Sequence, residues 1–261
     1  MTVVVTNRAS ADPSDRAAAV AVAARWGVPF VRRPGSGALR ELLASAEAVL
    51  VVERGAVTLW DAVGSARWSP GLAALRIRAL EAGRPGEALV RVGELAPGER
   101  VLDCTLGLAQ DARLAARLVG PEGRVVGLEA SLPLAMFAAE GLRRERKDPR
   151  SADIDVRHAD AREFLAGLEA GSFDVVLLDP MFTRERRAQP SFALLRRLAA
   201  RSPFGTETLA EARRVARRLV LVKAPRYGPE LKALSLRPEP ASRSASVVWA
   251  RAAPFRPPDG G

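Results

Sequence analysis

The feature that most narrows the fold is a regular alternation of short apolar strands and amphipathic helices that begins near residue 87. Strands are predicted at Arg100–Cys104, Arg124–Glu129, Ile154–His158, Phe173–Asp179 and Leu219–Lys223. Helices are predicted between them, at Gln110–Val119, Leu132–Glu145, Ala161–Leu168 and Thr206–Arg217. Strands joined through helices lie parallel in one sheet, with helices covering both faces. Runs such as Val175–Leu178 carry no polar residue, as a strand buried on both sides requires. Ser246–Arg251 reads as one more strand, and the Pro/Gly-rich residues 253–261 as a disordered tail. The predicted class is therefore α/β with a Rossmann-like sheet, and its domain is expected over 87–252.

Ahead of it, residues 1–65 read as a small α/β unit. Thr2–Thr6 is a β-branched strand, and Asp12-Pro13-Ser14 starts an alanine-rich helix within Ala11–Trp26. A short strand is expected at Val28–Val31 and a helix at Gly37–Ala46. Two strands, Ala48–Glu53 and Ala56–Asp61, are joined by the turn pair Arg54-Gly55. Residues 66–86 are expected to be a connection built on the basic helix Leu72–Ala82 and closed by Gly83-Arg84-Pro85-Gly86.

Ligands of open parallel sheets sit at the carboxyl ends of the strands, so the residues there carry the chemistry. The first strand of the sheet ends in Asp103-Cys104-Thr105-Leu106-Gly107-Leu108-Ala109-Gln110-Asp111. Gly107 lets backbone approach a ligand, and the helix start behind it offers free N–H groups to a carboxylate. Asp103 is placed to hold an ammonium group. Glu129 ends the second strand, where an acidic side chain takes ribose hydroxyls, and Asp160 after the third can meet an adenine amino group. The G-x-G-x-x-G turn of a dinucleotide enzyme is absent, and the amino-acid end of S-adenosylmethionine suits an acidic strand end better than a pyrophosphate does.

The fourth strand delivers Asp179-Pro180-Met181-Phe182. A ring-conjugated amino nitrogen is a poor nucleophile because its lone pair is delocalised. The Asp179 carboxylate and the Pro180 carbonyl can accept its N–H protons and orient it, while Phe182 stacks on the ring. These three are the candidate catalytic residues.

The stretch VLDCTLGLAQDA (Val101–Ala112), the run DVVLLDPMF and the downstream RRLVLVKAPRYGPEL together resemble the ribosomal RNA small subunit methyltransferase J family. The resemblance covers roughly residues 83–230 and is most specific at DPMF. It implies a class I methyltransferase fold and transfer of methyl from S-adenosylmethionine to the N2 of a guanine in small-subunit rRNA. It places Asp103, Gly107 and Asp111 in the cofactor turn, where Thr105 is a further cofactor-binding candidate, Glu129 at the ribose and Asp179–Phe182 at the acceptor, with Lys223, Pro225 and Tyr227 beside it. The family turn is usually D-A-T-x-G-L-G-x-D-A; here Cys104 stands for its alanine and Ala109 for its second glycine.

The formal net charge of +10 favours a polyanionic partner, and RNA is expected. Arg184, Arg186 and Arg187, directly after DPMF, are the expected phosphate contacts, with Lys223 and Tyr227 as further substrate-binding residues. One cysteine and one histidine leave little to build a metal site, so none is expected. The opening MTVVVT lacks the layout of a signal peptide and no apolar run reaches a membrane span's length, so a cytoplasmic protein is expected. Two other readings stay open: a methyltransferase for a protein amide or small amine, and an RNA-binding assembly protein without catalysis.

Overall fold

The computed structural model describes residues 2–255 except 10–11, 34, 36, 54, 85–87, 180–189, 201–204 and 244, and the side chains of 190–192. It divides into two compact units. Unit 1 comprises Met1–Pro70, Ser131–Arg146 and Arg186–Ala200, and unit 2 comprises Gly71–Ala130, Lys147–Glu185 and Arg201–Gly261.

Unit 1 holds β1 (Val3–Asn7), β2 (Ala48–Glu53), β3 (Ala56–Trp60) and β4 (Ser65–Arg67) as a sheet in the order β1-β2-β3-β4. The β1–β2 pair is parallel and the other two pairs are antiparallel. Its helices are α1 (Pro13–Trp26) and α2 (Ala38–Ser45). Asp12 caps α1 by accepting the amides of Ser14 and Asp15, as the sequence led one to expect. The predicted strand at Val28–Val31 is reduced to a single parallel bridge, Val5 to Phe30. Pro29 lacks the N–H that would extend the ladder. Conversely, the polar connection after Asp61 contains β4. Two helices from later in the chain complete the unit, α6 (Leu132–Arg144) and α8 (Pro190–Leu198). Glu140 of α6 is only 1% exposed and accepts from Arg25 at 2.6 Å, Trp26 Nε1 at 3.1 Å and Arg144 at 2.8 Å. Burial disfavours its charge, but these donors outweigh it and hold its pKa below the ordinary glutamate value. Gly141 leaves room for the Trp68 ring, which meets Phe137 edge-on at 5.4 Å.

Unit 2 is the alternating part of the chain. Its elements are α3 (Gly71–Glu81), α4 (Ala88–Gly93), β5 (Arg100–Asp103), α5 (Gln110–Val119), β6 (Arg124–Glu129), β7 (Ile154–His158), α7 (Ala161–Ala166), β8 (Phe173–Leu178), α9 (Thr206–Val215), β9 (Ala216–Pro225), α10 (Glu230–Ala233) and β10 (Val247–Ala252). The sheet order is β10-β9-β8-β5-β6-β7, parallel throughout except for the antiparallel edge strand β10. Leu102, Val126, Val176 and Val220 project to the face covered by Leu165 of α7 and by Leu209, Ala212 and Val215 of α9. Each such fully buried side chain contributes about 1.5–3 kcal/mol of transfer free energy. The predicted helix Thr206–Arg217 stops at Val215, and β9 begins at once with Ala216. Strand β9 is correspondingly longer than the predicted Leu219–Lys223.

Strand order decides where this unit can bind a ligand. From β5 the chain moves outward to β6 and β7, then returns to the other side of β5 to form β8 and β9. The reversal leaves a crevice beyond the carboxyl ends of β5 and β8. Asp103 closes one of those strands and Asp179 follows the other.

Candidate active site

The turn after β5 is fixed from several directions. Leu106 N–H donates to the Leu128 carbonyl at 2.8 Å, and the Leu106 side chain occupies the space where Gly127 lacks a Cβ. Gly107 has φ +50, and a Cβ there would meet only the Thr105 carbonyl, at 3.9 Å. Open space beside a positive-φ glycine is what close approach of a ligand to backbone needs. The Gly107 N–H donates to Glu129 Oε2 at 3.0 Å, so the acid ending β6 holds the turn that follows β5. Ala109 takes a left-handed conformation (φ 56) and caps α5 while fully buried, which explains why a glycine is usual at this position of the motif.

Thr105 ties this turn to β8. Its hydroxyl accepts the Asp179 backbone N–H at 2.6 Å and lies 3.4 Å from Asp103 Oδ1, which also accepts the Thr105 N–H at 2.9 Å. Asp103 is 3% exposed. Burial pushes its carboxyl up to about 7, and the nearby Asp111 and Asp179 carboxylates push the same way against the Thr105 amide and Lys223.

Lys223, near the end of β9, is the hub of the charged groups. Its Nζ lies 2.7 Å from Asp111 Oδ2 and 2.7 Å from Asp179 Oδ2, and 5.4 Å from the centroid of the buried Trp249 ring. Burial disfavours its charge, but the two carboxylates outweigh this and raise its pKa above the ordinary lysine value. Asp111, in the first turn of α5, has its other oxygen 2.7 Å from Arg76. Burial works against that carboxylate as well, and Lys223 with Arg76 more than compensates, lowering its pKa. Arg76, Asp111, Lys223, Asp179, Thr105 and Asp103 therefore form one connected network across the ends of β5, β8 and β9.

Half of the residues singled out from the sequence meet here: Asp103, Thr105, Asp111, Asp179 and Lys223 in the network, with Gly107 and Glu129 bonded to each other. Asp160 lies at the end of β7 and caps α7 by accepting the Arg162 amide at 2.8 Å. Tyr227 is 89% exposed, stacked under Arg226 just past β9. Pro180, Phe182, Arg184, Arg186 and Arg187 lie outside the described residues. His158 is exposed at a strand end, with Nε2 3.1 Å from the Ala130 carbonyl. Cys104 is buried and its thiol is pushed up by that burial, which removes it as a nucleophile. Arg76 is not evident from the sequence. It shares its helix with Arg78, and only the fold shows that Arg76 faces Asp111. Gln110 anchors the same helix by accepting the Ala73 amide at 2.5 Å.

A buried acid beside open glycine backbone suits a ligand that carries both an ammonium and a carboxylate. A second acid at the next strand end suits hydroxyls. The amino-acid and ribose parts of a nucleoside-linked amino acid have these groups.

The comparisons with known proteins agree with that chemistry. Residues 68–244 match a family model described as "Putative SAM-dependent methyltransferase". The uncharacterized protein YpiP of Bacillus subtilis is 34% identical over 192 residues, covering 71% of this chain and 74% of that protein. The ribosomal RNA small subunit methyltransferase J of Laribacter hongkongensis is 35% identical over 155 residues. That match covers 56% of this chain, which spans about half (54%) of the relative's length. Among solved structures, a SAM-dependent methyltransferase from Neisseria gonorrhoeae superposes over 97% of this chain and 96% of its own. Its TM-score is 0.65 at 19% identity, a likeness of fold.

Proposed function

The chain belongs to the family of S-adenosylmethionine-dependent methyltransferases, and from that premise we propose that it methylates a base amino group in RNA, guanine N2 of small-subunit rRNA. The observation that carries the proposal is the Asp179 carboxylate. It follows β8 at the switch point, its backbone tied to the Thr105 hydroxyl and its Oδ2 held by Lys223.

When bound, S-adenosylmethionine supplies an electrophilic methyl group on a sulfonium. On this reading Asp103 and the Gly107 turn hold its amino-acid end, Glu129 its ribose and Asp160 its adenine. Asp179 accepts an N–H of the acceptor amine, directing the nitrogen lone pair toward the methyl and standing ready for the proton the nitrogen sheds. The Pro180 carbonyl takes the second N–H and Phe182 stacks on the base. Lys223 acts through Asp179, fixing the carboxylate's orientation, and Asp111 with Arg76 keeps Lys223 in place. Arg184, Arg186 and Arg187 contact phosphates next to the flipped base.

Support for RNA comes from the net charge of +10 and from the relatives named as rRNA methyltransferases. The test is Asp179→Ala. Methyl transfer to RNA should fall by at least ~10²-fold with S-adenosylmethionine affinity within a few-fold of wild type, since Asp179 is assigned to the acceptor. Near-normal turnover of the variant would refute the acceptor assignment.

A further inference from the structure

Past Lys223, strand β9 runs on to Pro225, about 7 Å farther at the usual rise per residue. There it opens onto a groove of about 360 Å³ that none of the proposed roles uses. Pro225, Leu231, Leu236 and Pro238 contribute apolar surface to it. Arg226, Lys232 and Arg237 supply positive charge, and none of the lining residues is acidic.

These cations differ from most of the arginines on β9 and α9. Arg214, Arg217 and Arg218 are each paired with a carboxylate: Glu211, Asp174 and Glu99. Among the described residues, Lys232 and Arg237 have no ion-pair or side-chain hydrogen-bond partner, and both are exposed. Arg226 donates to the Ser242 carbonyl and lies 5.7 Å over the Tyr227 ring, which is 89% exposed. Tyr227 stands in the chain between the lining residues Arg226 and Gly228, so its exposed ring adjoins a groove with three cations and apolar walls. A ring for stacking next to cations for phosphates is the arrangement that binds single-stranded nucleic acid. A duplex would keep its bases stacked on each other and leave the ring and the floor unused.

We propose that this groove binds a single-stranded RNA segment flanking the nucleotide to be methylated, its phosphates on Arg226, Lys232 and Arg237 and a base on Tyr227. The proposal rests on the RNA reading above and adds a second subsite to it. It also gives Tyr227 a role in holding flanking sequence, away from the acceptor base.

The experiment measures binding of a fluorescent single-stranded oligoribonucleotide by anisotropy over a range of salt concentrations. It compares wild type, K232E/R237E, Y227A and a control, K147E/R124E, with the same change in net charge. Arg124 begins β6 at the opposite end of the sheet, and Lys147 is an exposed residue outside the groove. K232E/R237E should weaken binding at least ~10-fold and flatten the log–log salt dependence by about 1.4, two phosphates at ~0.7 each. Y227A should weaken binding with the salt slope unchanged. Both variants should keep wild-type affinity for S-adenosylmethionine and a wild-type Tm. Unchanged binding in K232E/R237E, or an equal loss in K147E/R124E, would overturn the groove alone. Binding of a duplex as tight as of the single strand would overturn it too. A wild-type protein with no affinity for RNA would overturn both the groove and the reading on which it rests.

Discussion

Asp103 illustrates how a single burial controls what the site can hold. Its carboxyl is pushed up to about 7, chiefly by burial. Between the ordinary carboxylate range and about pH 7, the folded chain keeps a proton that the unfolded chain has lost. The group's contribution to stability is therefore full in acid and is lost as pH rises through about 7. On the proposed reading, the ammonium of S-adenosylmethionine favours the ionised form, so binding expels this proton. Cofactor affinity should then rise from about pH 6 to about pH 8, and Asp103→Asn should be weaker and flat over that range. Calorimetry in buffers of different ionisation heat would detect the released proton; a wild-type affinity independent of pH would contradict the assignment. The sequence alone marked Asp103, Asp179 and Glu129, because each stands at the end of an apolar run. It did not reveal that both Asp111 oxygens are engaged, since Arg76 is 35 residues away on a helix whose arginines look alike. Nor did it show that Lys223 points inward to two carboxylates: a lysine ending a strand reads equally well as a surface charge.

Among the elements, the β5–α5 turn carries the most information. Ala109 occupies a left-handed position with no exposed surface. Replacing it by glycine relieves about 1 kcal/mol of backbone strain but loses a buried methyl of similar worth, so Ala109→Gly should be nearly neutral. Ala109→Val adds β-branching where φ is positive and two extra carbons where no room is left. It should destabilise the fold by roughly 2–4 kcal/mol, read as a lower urea midpoint at unchanged slope. A valine variant as stable as wild type would show that the turn does not hold this conformation. The parallel strands and their helices were legible because their periodicity is dictated by burial on both faces. Elements governed by tertiary context were not. Strand β4 is a polar Ser-Ala-Arg stretch whose pairing depends on β3 already being present. The helix α9 ends earlier than its sequence suggests because Ala216, which suits a helix equally well, pairs with Phe173 of β8.

At the scale of the whole molecule, the sequence suggested a linear division into residues 1–65, 66–86 and 87–252. In the structure, Ser131–Arg146 and Arg186–Ala200 fall in one compact unit with the first seventy residues. The reason is visible in Glu140, a buried carboxylate whose donors Arg25 and Trp26 lie more than a hundred residues earlier. Hydrophobic periodicity marks Leu132–Glu145 as a helix but says nothing of which sheet it covers. Family membership accounts for the cofactor and the fold, and the acceptor is read out by methyl transfer itself. The direct measurement is transfer of labelled methyl from S-adenosylmethionine, by purified protein, to total RNA from a strain lacking the gene, followed by nucleoside analysis. Label is expected in N2-methylguanosine of small-subunit rRNA, and its loss with Asp179→Ala. Unlabelled RNA alongside an efficiently labelled protein or small amine would contradict that expectation.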